Sequence, residues 1–213
     1  MKELTKMAKG LHTDKGIDFF DREDMKNQGH LYTEIYSIFF ESYRDKKFKM
    51  LEIGVAQCGS LLMWSHYFPK AKLIGMDIDK QYVTNGRHYE EISKQSNIDL
   101  FYGSQRSQVD LQRLCDVYDN SFDIIIDDGS HNEVDQRTSF EFLFSKLTDG
   151  GYYIIEDLSE TFKTGSYKDS VLNDIFHNMI NNTFKDTVQF CGTFYTRPNS
   201  IMVVIKKKSK DSL

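Results

Sequence analysis

Five short apolar runs, each closing on a glycine or an acid, constrain this chain more than any other feature. They occupy residues 48–53, 72–78, 98–102, 122–126 and 152–155, with helix-like stretches between them. Their unbroken apolar character marks strands buried on both faces, as in a parallel sheet covered by helices. Apolar residues in the intervening stretches recur at helical spacing. Leu61, Leu62, Trp64 and Phe68 precede the stop at Pro69, and Trp64 falls on the apolar face. Residues 80–95 form a polar helix in this reading. Residues 107–118 hold Val109, Leu111, Leu114, Cys115 and Tyr118, and residues 133–147 hold Phe140, Leu143, Phe144 and Leu147. Asp149-Gly150-Gly151 is expected to turn the chain. Upstream, residues 31–44 set Leu31, Ile35, Ile38, Phe39 and Ser42 at helical spacing. Residues 168–182 read as a further helix. Two β-rich runs, 187–194 and 200–205, read as a closing hairpin around Tyr195-Thr196-Arg197-Pro198-Asn199. The expected architecture is a Rossmann-like three-layer α/β sandwich. Its sheet is mostly parallel and seven-stranded, with a C-terminal antiparallel hairpin.

The 213 residues suffice for one domain. Residues 1–30, polar and carrying Thr13-Asp14-Lys15-Gly16, read as an N-terminal arm or lid, and residues 31–213 as the single domain. The 27 basic against 32 acidic side chains leave a net charge of −5, which argues against a nucleic-acid partner. No apolar run approaches the roughly 18 residues of a membrane span, so stable membrane insertion is not expected. The first residues lack the apolar core of a secretory leader. Cys58, Cys115 and Cys191 form no CxxC pair or zinc spacing, which fits a reducing cytoplasm. The tail Lys206-Lys207-Lys208-Ser209-Lys210 reads as a solvated end. In that setting the Asn181-Asn182-Thr183 sequon carries no weight.

Ligands of open parallel sheets bind beyond the carboxyl ends of the strands. Here those ends read Glu52-Ile53-Gly54-Val55-Ala56, then Asp77, Gly103-Ser104-Gln105, Asp127-Asp128 and Glu156-Asp157. A fold does not require so many acids there. The loop from Gly54 to Ser60 is glycine-bearing, so backbone can approach a ligand closely, but it departs from the G-x-G-x-x-G spacing that cradles a pyrophosphate. Glu52 beside it would repel a pyrophosphate and attract a sulfonium. Asp77 at the second strand's end can accept both hydroxyls of a ribose. Together these residues suggest S-adenosylmethionine.

Several stretches then match one family: Thr13-Asp14-Lys15-Gly16, His30-x-Tyr32, LEIGVAQCGSLLMW at 51–64, Tyr67-Phe68-Pro69, IGMDI at 74–78, FDIIIDDGSH at 122–131 and GGYYIIEDL at 150–158. On these residues the chain resembles the class I S-adenosylmethionine-dependent methyltransferases, within them the macrocin-type sugar O-methyltransferases related to proteins labelled cephalosporin hydroxylase. The loop Gly103-Ser104-Gln105 departs from the family's Gly-Asp-Gln. The resemblance implies a cofactor site formed by Glu52, Gly54, Ala56, Ser60, Asp77, Ser104, Gln105 and Asp127, with Gln105 on the adenine side. It implies a divalent metal, usually Mg²⁺, on Asp128, Glu156 and Asp157, and His131 as the general base. Three converging carboxylates would repel strongly without a cation, and hard oxygen donors suit Mg²⁺, Mn²⁺ or Ca²⁺.

The implied reaction is methyl transfer to a hydroxyl of a sugar or glycosylated metabolite, in polysaccharide or natural-product biosynthesis. The partner is a small sugar-containing acceptor, and a homo-oligomer stays open. An NAD(P)-dependent oxidoreductase on a similar sheet and a non-catalytic adenosyl-binding protein are the alternatives. In the arm, His12 and His30 are read as closing over the site and Lys15 as touching the cofactor carboxylate or the substrate. His66, His88 and His177 read as helix-surface residues. Acceptor specificity is expected in residues 1–30 and in the 159–170 loop.

Overall fold

The structure, a computed structural model, describes residues 2–18, 28–158, 184, 186–197 and 200–209. The expected 168–182 helix, the 159–170 loop, the sequon, His177 and the hairpin tip at Pro198-Asn199 lie outside the described residues. The described strands are β1 (Lys49–Ile53), β2 (Lys72–Asp77), β3 (Ile98–Tyr102), β4 (Phe122–Asp127), β5 (Leu147–Ile155), β6 (Val188–Arg197) and β7 (Ser200–Lys207). They form one sheet in the order β3-β2-β1-β4-β5-β7-β6. The first five run parallel, and β7 lies antiparallel to both β5 and β6. This is the Rossmann-like α/β fold expected from the apolar runs.

Alternate residues of each central strand feed two separate cores. Met50, Leu73, Ile124, Ile126 and Ile154 face one side and pack with α2 (Tyr32–Phe40) and α3 (Gly59–Tyr67). Leu51, Ile74, Ile125, Tyr153 and Ile155 face the other and pack with α6 (Gln108–Val117) and α7 (Glu133–Leu143). Burial on both faces is why these strands lack polar alternation. Trp64 is fully buried, as its place on the apolar face of α3 implied. Its ring meets Tyr36, Phe40 and Phe68 at centroid distances of 5.2, 6.3 and 5.7 Å. A short N-terminal helix, α1 (Glu3–Ala8), adds Leu4 and Ala8 to the same core.

Four local expectations are corrected. In α2 the buried residues are Tyr32, Thr33, Tyr36, Ser37 and Phe40, and Ile38 is 64% exposed. The inward face is turned from the purely apolar one because the hydroxyls of Tyr32 and Tyr36 find carboxylate partners inside. The polar stretch after β2 is two helices, α4 (Lys80–Thr84) and α5 (Tyr89–Ile92), parted at Gly86, where a Cβ would press on Gln57 Cα at 2.8 Å. His88, capping α5, is consequently buried instead of on the surface. Asp149-Gly150-Gly151 does not turn the chain but forms a bulge within β5. The pairing shifts from Phe122↔Leu147 to Ile124↔Tyr152, and Gly150 takes the left-handed φ of +79°.

The aromatic cluster sets a stability test. Phe40 is buried against Tyr36, Trp64, Phe68 and Tyr152. Phe40→Ala is expected to cost about 3–5 kcal/mol, measured as a lowered urea midpoint at unchanged slope. A loss below about 1 kcal/mol would mean that the cluster repacks.

Candidate functional site

The strands end along one rim, and β1 lies between β2 and β4, where the strand order switches direction. That is where a parallel sheet opens a crevice. Two cavities occupy it, of about 240 and 210 Å³, meeting at Gly54 and Gly129. Neither position tolerates a side chain. A Cβ on Gly54, whose φ is +81°, would lie 2.0 Å from the Asp128 carbonyl oxygen, and one on Gly129 1.9 Å from Gln105 Oε1.

Asp77, Ser104 and Gln105 line the larger cavity. Asp77 Oδ2 accepts the backbone N–H groups of Val55 and Ala56 at 3.0 and 3.2 Å, which pins the β1 loop to the end of β2. Ala56 and Cys58 hold left-handed φ values of 43° and 68° in that loop. Such backbone is uncommon for residues other than glycine. Ser104 donates its backbone N–H to Asp110 Oδ2 at 3.1 Å. Gln105 spends its side chain on the protein. Its Nε2 donates to Asp127 Oδ1 at 3.0 Å, and its Oε1 accepts the Ser130 N–H at 2.8 Å.

Asp127 corrects an expectation. Its carboxylate does not face the cofactor side; it is fully buried under Gln105, Ser139 and Tyr153. Burial pushes its pKa up to about 6, against the hydrogen bonds from Ser139 and Gln105. Its place is structural, tying β4 to the β3 loop and to α7.

The smaller cavity is lined by His12, Thr13, Asp14, Lys15, Ala56, Ser60, Asp128 and His131, among others. Glu52, behind it, is also corrected. It has no exposed surface and accepts Ser60 Oγ at 2.9 Å and Trp64 Nε1 at 3.4 Å. Burial raises it to about 6 although Lys15 opposes the shift.

Of the three acids assigned to a metal, two stand with His131, and the third, Glu156, shares the Lys15 ammonium with Asp128. Ligand atoms of Asp128, His131 and Asp157 lie within 4.8 Å of one another. His131 Nε2 donates to Asp128 Oδ1 at 3.1 Å and stands 3.7 Å from Asp157 Oδ2. Both His131 and Asp157 hold left-handed φ, 54° and 53°. Glu156 is turned inward instead. Its Oε2 accepts Lys15 Nζ at 2.8 Å, and its Oε1 accepts the Tyr36 hydroxyl.

The electrostatics follow from this partition. The hydrogen bond to Asp128 raises His131 to about 9, although burial opposes it. Burial raises Asp128, but Lys15 and His131 beside it hold it below the usual carboxylate range. Burial, and Asp128 nearby, push Glu156 well up and raise Asp157.

Residues 11–18 are built into this rim. Backbone N–H groups of His30, Leu31 and Thr33 donate to the carbonyls of Asp14, Gly16 and Lys15 at 2.6, 2.8 and 3.0 Å. His30 stands 3.5 Å from Asp157 and 3.6 Å from Asp14. Lys15, at the wall of the smaller cavity, is 1% exposed and enclosed by Glu52, Asp128 and Glu156. No contact at the site was read from the sequence for Tyr32, quoted only within His30-x-Tyr32, whose hydroxyl donates to Asp157 at 2.7 Å, nor for Tyr36 and Ser139. The two tyrosines sit four apart on α2, a spacing that a polar-face reading of that helix could have found.

No family model matches the chain. It is 37% identical over 144 residues to the mycinamicin VI 2''-O-methyltransferase of Micromonospora griseorubida, covering 64% of this chain and 33% of that protein. To the demethylmacrocin O-methyltransferase of Streptomyces fradiae it is 36% identical over 148 residues, covering 66% of this chain and 35% of that protein. The chain thus spans about a third of the length of the curated relatives it matches. The solved structure of the MycE methyltransferase from the mycinamycin biosynthetic pathway, in complex with Mg and SAH, superposes over 99% of this chain and 56% of that one. The TM-score is 0.76 at 26% identity. In sequence and in fold, the chain resembles the macrocin-type sugar O-methyltransferases among the class I S-adenosylmethionine-dependent methyltransferases.

Proposed function

We propose that this chain is an S-adenosylmethionine-dependent, divalent-metal-assisted O-methyltransferase acting on a hydroxyl of a sugar or glycosylated metabolite. One observation carries the reading: two cavities meet at Gly54 and Gly129, and His131, Asp128 and Asp157 stand together beside the smaller. The pair of cavities fits an extended nucleoside cofactor, with Asp77 for the ribose, Ser104 and Gln105 at the base end, and Gly54, Ala56 and Ser60 along the aliphatic end. Bound there, S-adenosylmethionine supplies an electrophilic methyl carbon on a sulfonium. The carboxylates of Asp128, Glu156 and Asp157 are oxygen donors of the kind that Mg²⁺ or Mn²⁺ accepts, and would hold it here. A bound divalent cation supplies Lewis-acid polarisation of the acceptor hydroxyl.

The chain's own residues supply placement and proton transfer. Gly54 and Gly129 let the β1 and β4 loops and Gln105 close on one another, which sets the two cavities side by side so that cofactor and acceptor can meet in line. His131, once it has lost its own proton, takes that of the acceptor hydroxyl, and Asp128 beside it stabilises the imidazolium that forms. The segment 12–15 walls the acceptor side as the arm of the fold. Among the described residues no helix is long and apolar enough to cross a membrane. A cytoplasmic enzyme with a small sugar-containing acceptor, without nucleic-acid or membrane partners and open to self-association, fits this reading.

Three measurements test it. In a thermal melt, S-adenosylhomocysteine at 100 times its dissociation constant is expected to raise Tm by roughly 5–10 °C, whereas NADH leaves it unchanged. A shift with NADH alone would move the chain to the oxidoreductases, and binding without turnover on any acceptor to the non-catalytic adenosyl-binding proteins. His131→Ala is expected to lower kcat by about 10²–10⁴-fold while the affinity for S-adenosylhomocysteine stays unchanged. Undiminished turnover would remove His131 as the base. By NMR the His131 ring of the metal-free protein is expected to titrate near 9, and in Asp128→Asn nearer the ordinary histidine value. Because the folded-state value is raised, the stability this pair contributes is complete below the ordinary histidine value and lost as pH rises through about 9. A ring titrating at the ordinary value in both proteins would dismiss the Asp128 hydrogen bond as its cause.

A further inference from the structure

The glycine-bearing loop after β1 is held from outside as well as from within. Gln57 stands in it between two left-handed residues, Ala56 and Cys58, and lines the smaller cavity. Asp77 pins the loop one step earlier, through the N–H groups of Val55 and Ala56. On the outer side the corner between α4 and α5 closes on Gln57. His88 donates its backbone N–H to the Gln57 carbonyl at 3.3 Å. Gly86 packs so near that a Cβ there would lie 2.8 Å from Gln57 Cα and 3.1 Å from its carbonyl carbon. The Tyr82 hydroxyl accepts Gln57 Nε2 at 3.5 Å.

The corner is the stiffer partner in these contacts. Val83 and Ile92, on either side of it, are buried in the core. Gly86 donates to the Val83 carbonyl at 2.9 Å and accepts the Tyr89 N–H at 3.1 Å. The His88 side chain is buried, and neither ring nitrogen has a hydrogen-bond partner among the described residues, so packing holds it. Gly86 does not take a left-handed φ. Glycine here therefore serves the close approach to Gln57 and not backbone freedom. Tyr82, Gly86 and His88 line neither cavity.

We propose that Gly86 is a positioning residue for cofactor binding: the α4–α5 corner braces the outside of the loop and sets where Gln57 stands against an S-adenosyl cofactor. The inference rests on the cofactor reading above and is independent of any metal. Asp77 and the corner grip the loop from its two sides, one at residues 55 and 56 and the other at residue 57. A methyl group added at position 86 displaces Gln57, because the buried flanks of the corner cannot give way. A misplacement of about 1 Å by a residue outside a site can cost roughly 10²-fold, so a shift of part of that at the loop is measurable.

The test separates affinity from stability in the full chain. Binding of S-adenosylhomocysteine is measured by isothermal titration, and stability by urea unfolding without ligand. Gly86→Ala is expected to raise the dissociation constant about tenfold, and at least about threefold. Tyr82→Phe, which removes only the long contact to Gln57 Nε2, is expected to leave it within about twofold. A glycine with a merely structural role would lower the urea midpoint and change the dissociation constant less than about threefold, and that result overturns the proposal. So does a loss in Tyr82→Phe equal to that in Gly86→Ala, which would put the hold in the side chain. Should Gly86→Ala not fold, hydrogen exchange of the wild-type chain decides. Bound S-adenosylhomocysteine is expected to slow exchange of the His88 amide about tenfold, and unchanged exchange overturns the proposal. If the wild-type chain binds no S-adenosylhomocysteine at millimolar concentration, the cofactor reading fails and the proposal with it. If it binds and Gly86→Ala binds as tightly, the proposal alone fails.

Discussion

Three adjacent parallel strands end in carboxylates within reach of one another, and the ammonium of Lys15 is what lets them do so. Glu52, Asp128 and Glu156 close β1, β4 and β5, and all three lie within 3.5 Å of the same nitrogen. Removing one partner of a buried ion pair typically costs roughly 3–5 kcal/mol, because the remaining charge is left without compensation. A group of three acids around one cation stands to lose more than a single pair would. The hydroxyls of Tyr36 and Ser60 and the indole of Trp64 complete the shell. The helices that carry them are therefore placed by the same charges that they satisfy. This also explains why α2 buries tyrosines and exposes Ile38.

A second buried acid organises the opposite side of the rim. Asp127 collects Gln105, Ser139 and Tyr153, and Gln105 in turn receives the Ser130 N–H. The β3 loop, the β4 loop and α7 are thereby held as one piece beneath the larger cavity. Asp127 and Asp128 are neighbours in the chain with opposite duties. The first packs away from solvent and orders protein groups; the second faces the cavity and orders His131. Glu156 and Asp157 repeat the division at the next strand. In each pair the first acid is the more deeply buried, and the second stands beside His131.

Strained backbone gathers at the same place. Ala56, Cys58, His131 and Asp157 all hold left-handed φ at the strand ends. Such conformations persist only where the surroundings impose them. Asp77 imposes them on the first loop by clamping Val55 and Ala56, and the His131–Asp128 hydrogen bond does so on the second. The fold thus spends local conformational energy to present a short row of polar groups at the seam of two cavities.

The sequence by itself determined the strands, their order along the chain, the parallel character of most of the sheet and which residue stands at each strand end. These are local matters: unbroken apolar runs and the acids that stop them are visible within a few residues. It also carried the motif IDDGSH and the Glu156-Asp157 pair, which suffice to mark the rim as the place of chemistry. The direction in which each acid points was decided only by the tertiary structure. Lys15 lies 113 residues from Asp128 and 141 from Glu156, so no spacing rule could pair them. Nor could a pattern of apolar residues show that Tyr32 and Tyr36 turn inward, since their partners lie 125 and 120 residues further along the chain. The same holds for the bulge at Gly150, which the pairing of β4 with β5 imposes on residues that read locally as a turn. Charge compensation in a buried site is a property of the assembled rim, and it decides which neighbours each acid takes.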